Sequence, residues 1–131
     1  MDYRFWIEEA GLQLNEIEFR NAVPIDGYGP GFFRVAGTAH KAPLVITPKG
    51  VFSWGGYDEI DGLLELVDQI DVLFIGTGEE IAHIPKEFRA NLEDMGVGVE
   101  VMSSASACRT YNVLLSEERR VAAALFPIKG A

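Results

Sequence analysis

Cysteine is nearly absent: Cys108 is the only one in 131 residues, so no intramolecular disulfide framework can form. A lone thiol fits a reducing compartment. The N-terminal stretch sets Asp2, Glu8, Glu9, Glu16 and Glu18 against only Arg4 and Arg20, the wrong charge for a signal or transit peptide. A bacterial-type cytoplasmic chain is therefore expected. Basic charge is short as well, with 11 Lys and Arg against 20 Asp and Glu and a formal net charge of −9. Nucleic acids and anionic membranes are held through dense Lys and Arg, so neither is an expected partner. Long apolar runs are missing too. Val72–Ile75 and Val121–Ile128, the latter interrupted by Pro127, fall far short of the roughly 20 residues that span a bilayer.

Cofactor signatures are also lacking. His40 and His83 stand far apart, and neither has a second Cys or His at ligand spacing, so no metal centre is expected. Gly76-Thr77-Gly78 follows an apolar run in the manner of a dinucleotide turn, but the third glycine position is Ile81. Glu79 and Glu80 place negative charge where a pyrophosphate would sit, and no P-loop lysine follows. No Ser-His-Asp set can be picked out, because only geometry defines one. Neither cofactor nor reaction is legible in the residue types.

What remains is a soluble α/β pattern. The length suits one domain over residues 1–131, with 1–13 as a loosely ordered N-terminal segment. Asp26-Gly27-Tyr28-Gly29-Pro30-Gly31 is too glycine-dense for a helix and reads as a turn-rich loop. Phe32–Val35 and Thr38–Lys41 read as one hairpin, Leu44–Thr47 and Val51–Trp54 as a second. From Asp58 the period lengthens: Ile60, Leu63, Leu64 and Val67 mark one face of a helix. Val72–Ile75 is an unbroken apolar run, predicted as the central, fully covered strand. A second helix follows, with Pro85 near its first turn, Phe88, Leu92 and Met95 on one face, and Gly96 as its stop. Gly98–Met102 is the next strand, the serines from Ser103 cap a third helix to about Glu118, and Val121–Phe126 is the last strand. This alternation predicts a three-layer α/β domain, with the early hairpins as an edge or flanking layer.

The third helix carries the densest chemistry. Ala107, Tyr111, Leu114 and Leu115 form its apolar face, Arg109 and Asn112 lie on the other side, and Cys108 sits at the border. A thiol near a helix N-terminus can become a nucleophilic thiolate, but a free cysteine more often packs as a small hydrophobe. Arg109 with Asn112 can grip a carboxylate, phosphate or peptide carbonyl, or Arg109 can simply pair with a surface acid. If the strand before this helix runs parallel beside Val72–Ile75, the helix begins at the sheet edge where the glycine turn lies. Gly76, Thr77, Gly78, Cys108, Arg109 and Asn112 are then the candidate ligand or partner crevice.

Several runs resemble one known family. Asp71–Gly78, Met102, Ala107-Cys108-Arg109-Thr110-Tyr111-Asn112-Val113-Leu114 and Arg120–Leu125 are similar to a small α/β family of unknown biochemical function. An assembly factor of mitochondrial respiratory complex I in animals belongs to it. Tyr28–Val35, Pro48–Val51 and Trp54 match in the same order, so the resemblance runs from about residue 14 to 128. Ser103-Ser104 departs from it, standing where relatives are expected to carry an acid and a threonine. The resemblance implies a mixed central sheet with an antiparallel last strand, and a protein partner in membrane-complex assembly. Two readings follow: a non-catalytic binding or assembly module, or a small-ligand protein or enzyme using the crevice, with Cys108 as nucleophile.

Overall fold

Val121-Ala122-Ala123-Ala124-Leu125 is buried along its whole length, and the sheet is assembled around it. The computed structural model describes residues 23–129, so the expected loose segment 1–13 lies outside the described residues. In chain order the elements are β1 (Ile25–Gly29), β2 (Phe32–Val35), β3 (Thr38–Lys41), β4 (Leu44–Thr47) and β5 (Gly50–Ser53). There follow α1 (Asp61–Leu64), β6 (Val72–Gly76), α2 (Lys86–Glu93), β7 (Gly98–Met102), α3 (Ser104–Ser116) and β8 (Val121–Leu125). The five-stranded sheet has the order β5-β4-β8-β6-β7, and β1-β2-β3 form a separate antiparallel sheet.

The mixed α/β architecture is as expected, with two refinements. The middle strand is β8; β6, predicted to be central, lies next to it. Its side chains are nevertheless covered on both faces, Phe74 on one and Leu73 and Ile75 on the other. The last strand is antiparallel toward β4 only, and runs parallel to β6. Both results follow from the connections. The chain steps from β6 out to β7 over α2, then back across β6 to β8 over α3. Steps in opposite directions place right-handed crossovers on opposite faces. Accordingly α2 contributes Phe88 and Leu92 to one core, and α3 contributes Ala107, Tyr111 and Leu115 to the other. The run of alanines in β8 suits a strand covered on both faces, Ala123 in the core with α3 and Ala122 and Ala124 in the other core.

Local departures have local causes. The glycine-dense stretch expected as loop contains β1, with an irregular register between Ile25 and Gly27; only the turn through Gly31, at φ +80°, is loop. Ile25, Phe33 and Val35 from this small sheet join the α3 core. The second hairpin, β4–β5, belongs to the main sheet as its edge. The helix expected from Ile60 to Val67 is one turn long, and Leu66, Val67 and Gln69 continue it with tighter three-residue-spaced bonds to Leu63, Leu64 and Leu66. Its apolar face is retained, since Leu63 is buried and Ile60, Leu64 and Val67 pack beside it. Met95, expected on the buried face of α2, lies past the helix end and is 55% exposed.

The two edges of the main sheet differ. On β7 the outward Val99 carbonyl accepts a hydrogen bond from Arg89 Nη1 at 3.2 Å, and Arg89 is itself held by Glu93 at 3.1 Å. On β5 no comparable side chain covers the backbone among the described residues.

Candidate functional site

The glycine turn lies at the carboxyl ends of the parallel strands β6 and β8, where open α/β sheets present their crevice. Gly76 is required there by space. A Cβ on it would stand 2.7 Å from Ser104 Cα, 2.8 Å from Ser104 Oγ and 2.9 Å from Leu125 Cδ2. Gly78 adopts φ +105°, a conformation that favours glycine. The side chain that meets this turn is Ser104, which is fully buried. Its hydroxyl accepts the Gly78 N–H at 2.8 Å and donates to the Phe126 carbonyl at 2.7 Å. Its own N–H donates to the Gly78 carbonyl at 2.8 Å, and the Phe126 N–H closes the ring on the Gly76 carbonyl at 2.9 Å. Ser104 therefore ties three segments together at the point where a ligand was expected.

Thr77 organises the loop beyond. Its N–H donates to the Met102 carbonyl, and its hydroxyl donates to the Glu80 carbonyl at 2.6 Å and accepts the Ala82 N–H at 3.0 Å. This leaves Glu79 and Glu80 exposed.

The candidate residues of α3 do not converge on the turn. Ser103 caps the helix by accepting the Ser106 N–H, as the serine run predicts. At about 100° per residue, Arg109 points roughly 140° away from Ser104. It is exposed, and Nη2 donates to Ser106 Oγ at 3.1 Å. Asn112 turns to the small sheet instead. Its Oδ1 accepts the Ile25 N–H at 2.9 Å and its Nδ2 donates to the Ile25 carbonyl at 2.7 Å. Cys108 is buried in the core, where desolvation pushes its thiol up to about 12 against the lowering effect of Arg109. The structure thus brings Gly76 and Gly78 together with Ser104, and sends Cys108, Arg109 and Asn112 to core, solvent and β1 respectively.

Ser104 was missed, although a signal was present. It sits three residues before Ala107, and so extends the buried stripe of Ala107, Tyr111 and Leu115 back by one turn. A second group beside the turn was not legible, because its members are scattered along the chain. Phe126 packs against Trp54 and Tyr57, with ring centroids 5.2 Å and 5.0 Å away, and Phe88 lies 5.0 Å from Tyr57. The Trp54 indole N–H donates to the Glu59 carbonyl at 3.0 Å, and the Glu59 carboxylate accepts the Gly55 N–H. Tyr57 is half-buried, and desolvation raises its hydroxyl above the usual phenol range. The carboxyl end of the sheet is therefore closed by a serine clasp and flanked by packed aromatic rings.

Residues 25–126 match the family model described as "Protein of unknown function (DUF498/DUF598)". The chain belongs to that family. Within the DUF498/DUF598 match lie every strand from β1 to β8 and every residue of the glycine turn and α3. The chain is 53% identical over 113 residues to an uncharacterized protein of Rhodobacter capsulatus, covering 86% of this chain and 91% of that one. It is 34% identical over 126 residues to NADH dehydrogenase (ubiquinone) 1 alpha subcomplex assembly factor 3 of Danio rerio, covering 91% of this chain and 72% of that one. Among solved structures it resembles a crystal structure described as an outer membrane protein from Bartonella henselae. The TM-score is 0.75 at 40% identity, covering 82% of this chain and 97% of that one. Among the described residues no helix is long and apolar enough to cross a membrane. The resemblance carried by Asp71–Gly78, Ala107–Leu114 and Arg120–Leu125 holds at the level of the family.

Proposed function

We propose that this DUF498/DUF598 protein is a non-catalytic binding module that acts in the assembly of a larger protein complex. The observation that carries the reading is the Ser104 clasp: the crevice end of the sheet is already filled, and its hydrogen-bonding groups are spent on one another. Cys108 supports it, because a buried thiol with a raised pKa is a poor nucleophile at neutral pH. The relationship to the Danio rerio assembly factor supports it from a second side. A respiratory NADH dehydrogenase is accordingly the first complex to examine, in the cytoplasm of a bacterial cell.

In this reading the six candidate residues divide their work. Gly76, Thr77, Gly78, Cys108 and Asn112 build the frame, and Arg109, exposed on α3, is the member that meets a partner. Its planar guanidinium suits a carboxylate on that partner. The test is affinity purification from the native cell, with mass spectrometry, of the wild type and of Arg109→Glu. The expected result is a defined set of subunits of one complex, depleted from the variant. Equal recovery with both proteins, or turnover of a small molecule by the purified chain, overturns the reading.

A further inference from the structure

We infer that β5 is a self-association edge, through which two copies pair antiparallel about a twofold axis at Phe52. The inference is independent of the assembly reading and rests on the hydrogen-bond phase of the strand. The Trp54 N–H donates to the Pro43 carbonyl at 3.1 Å, which sets which residues of the β5 arm face β4. In an antiparallel ladder the facing alternates, so Trp54, Phe52 and Gly50 turn their backbone groups to β4, consistent with the Val45–Phe52 and Thr47–Gly50 pairs. Val51 and Ser53 turn theirs outward. Among the described residues no hydrogen bond uses these two N–H and two C=O groups.

That pattern is complementary to itself. If Val51 of one copy opposes Ser53 of the other, both residues present outward groups and exchange two hydrogen bonds, and the twofold axis repeats the exchange. The same register puts Phe52 opposite Phe52 of the second copy in a non-hydrogen-bonded pair, the position where cross-strand side chains lie closest. Phe52 is 50% exposed, the most exposed aromatic side chain among the described residues with large exposed hydrophobics. Two phenyl rings meeting there remove from water the apolar surface that each leaves uncovered alone. The register also brings the turn carrying Lys49 of one copy alongside Gly55 of the other, whose N–H is held by the Glu59 carboxylate. Lys49 and Glu59 are opposite charges, and the axis supplies that pairing twice.

The devices that usually keep an edge from pairing are few on β5. Gly50-Val51-Phe52-Ser53 has no charged residue, no proline and no break in register. The opposite edge, β7, carries Glu100 and has Arg89 on its Val99 carbonyl. Four residues make a short edge, which limits what can add to it, yet the twofold register uses every outward group it has. The interface is small, so the dimer is expected to be weak, with Kd on the order of 10–100 µM. Two chains of net charge −9 repel, so pairing is expected to tighten as salt rises from low to physiological strength.

The test is sedimentation velocity of the full chain from micromolar to millimolar concentration, with amide hydrogen exchange at both ends of the range. The wild type should pass from monomer to dimer, and the Val51 and Ser53 amides should gain protection with concentration. Phe52→Lys should weaken association at least tenfold without altering the thermal midpoint, because the side chain is exposed. Ser53→Pro, which removes an outward donor and leaves the β4 ladder alone, should do the same. A wild type that stays monomeric to millimolar concentration overturns the inference. So does a dimer that survives both variants, or one whose protection appears at other amides.

Discussion

Asn112 on α3 grips Ile25 on β1 by both backbone groups, accepting its N–H at 2.9 Å and donating to its carbonyl at 2.7 Å. One side-chain amide thus acts as a missing strand for the first residue of the small sheet, and fastens that sheet to the helix.

Asn112→Ala is therefore expected to destabilise the protein by about 2 kcal/mol, because it orphans a donor and an acceptor on a residue that is almost fully buried. Urea denaturation checks this. Early loss of amide protection in β1–β3, with β6 and β8 unaffected, would show that the loss acts where the side chain does.

Arg109→Ala should behave differently, although the two residues lie one turn apart. Arg109 is exposed and among the described residues holds only the Ser106 hydroxyl, so its removal is expected to change stability by no more than about 0.5 kcal/mol. The same denaturation experiment checks it, and a larger loss would assign Arg109 to the frame.

The clasp at the glycine turn gives a graded pair. Ser104→Ala removes the partner of the Gly78 N–H and the Phe126 carbonyl, at an expected cost of about 2 kcal/mol. Gly76→Ala should cost about 3 kcal/mol or more, because its Cβ meets backbone that cannot swing aside. Thermal midpoints in the order wild type, Ser104→Ala, Gly76→Ala would bear this out; an unaffected Gly76→Ala would show that the turn yields.

Cys108 carries a pH signature. Its thiol is pushed from about 9.0 up to about 12 in the folded chain, so the unfolded chain loses its proton first as pH rises. Stability should be unaffected by this group below about pH 9. Between about pH 9 and 12 it should fall by up to roughly 1.4 kcal/mol per pH unit. Tyr111, fully buried and also shifted upward, adds a loss of the same sign at higher pH. Denaturation series on wild type and Cys108→Ala, in which the slope flattens, measure the effect. Alkylation of the folded protein near pH 6 should be negligible.

How much of this could be read from the sequence depended on how local each signal was. β6, β7, β8 and the capped α3 were legible because apolar runs, glycine stops and serine caps act within a few residues. The place of β6 beside the centre was not, since strand order is set by which way each crossover steps. β1 was hidden because Gly27 and Gly29 argue for a turn, whereas the pairing with β2 and the grip of Asn112 are long-range. The arrangement of the candidate crevice was only partly legible, for one geometric reason. Arg109 and Asn112 are near the glycine turn in the chain order of the fold, but the helix rotates them away and brings Ser104 round. The rings of Trp54, Tyr57, Phe88 and Phe126 come from four separate segments and have no common sequence pattern.

Arg89 on the Val99 carbonyl has a consequence for what the sheet can grow into. A sheet with two open rims adds molecules at both, and repetition of one contact then runs on into a fibre. Here one rim carries a guanidinium on its Val99 carbonyl and a charge at Glu100, so the proposed pairing at the other favours a closed pair of molecules over a growing row.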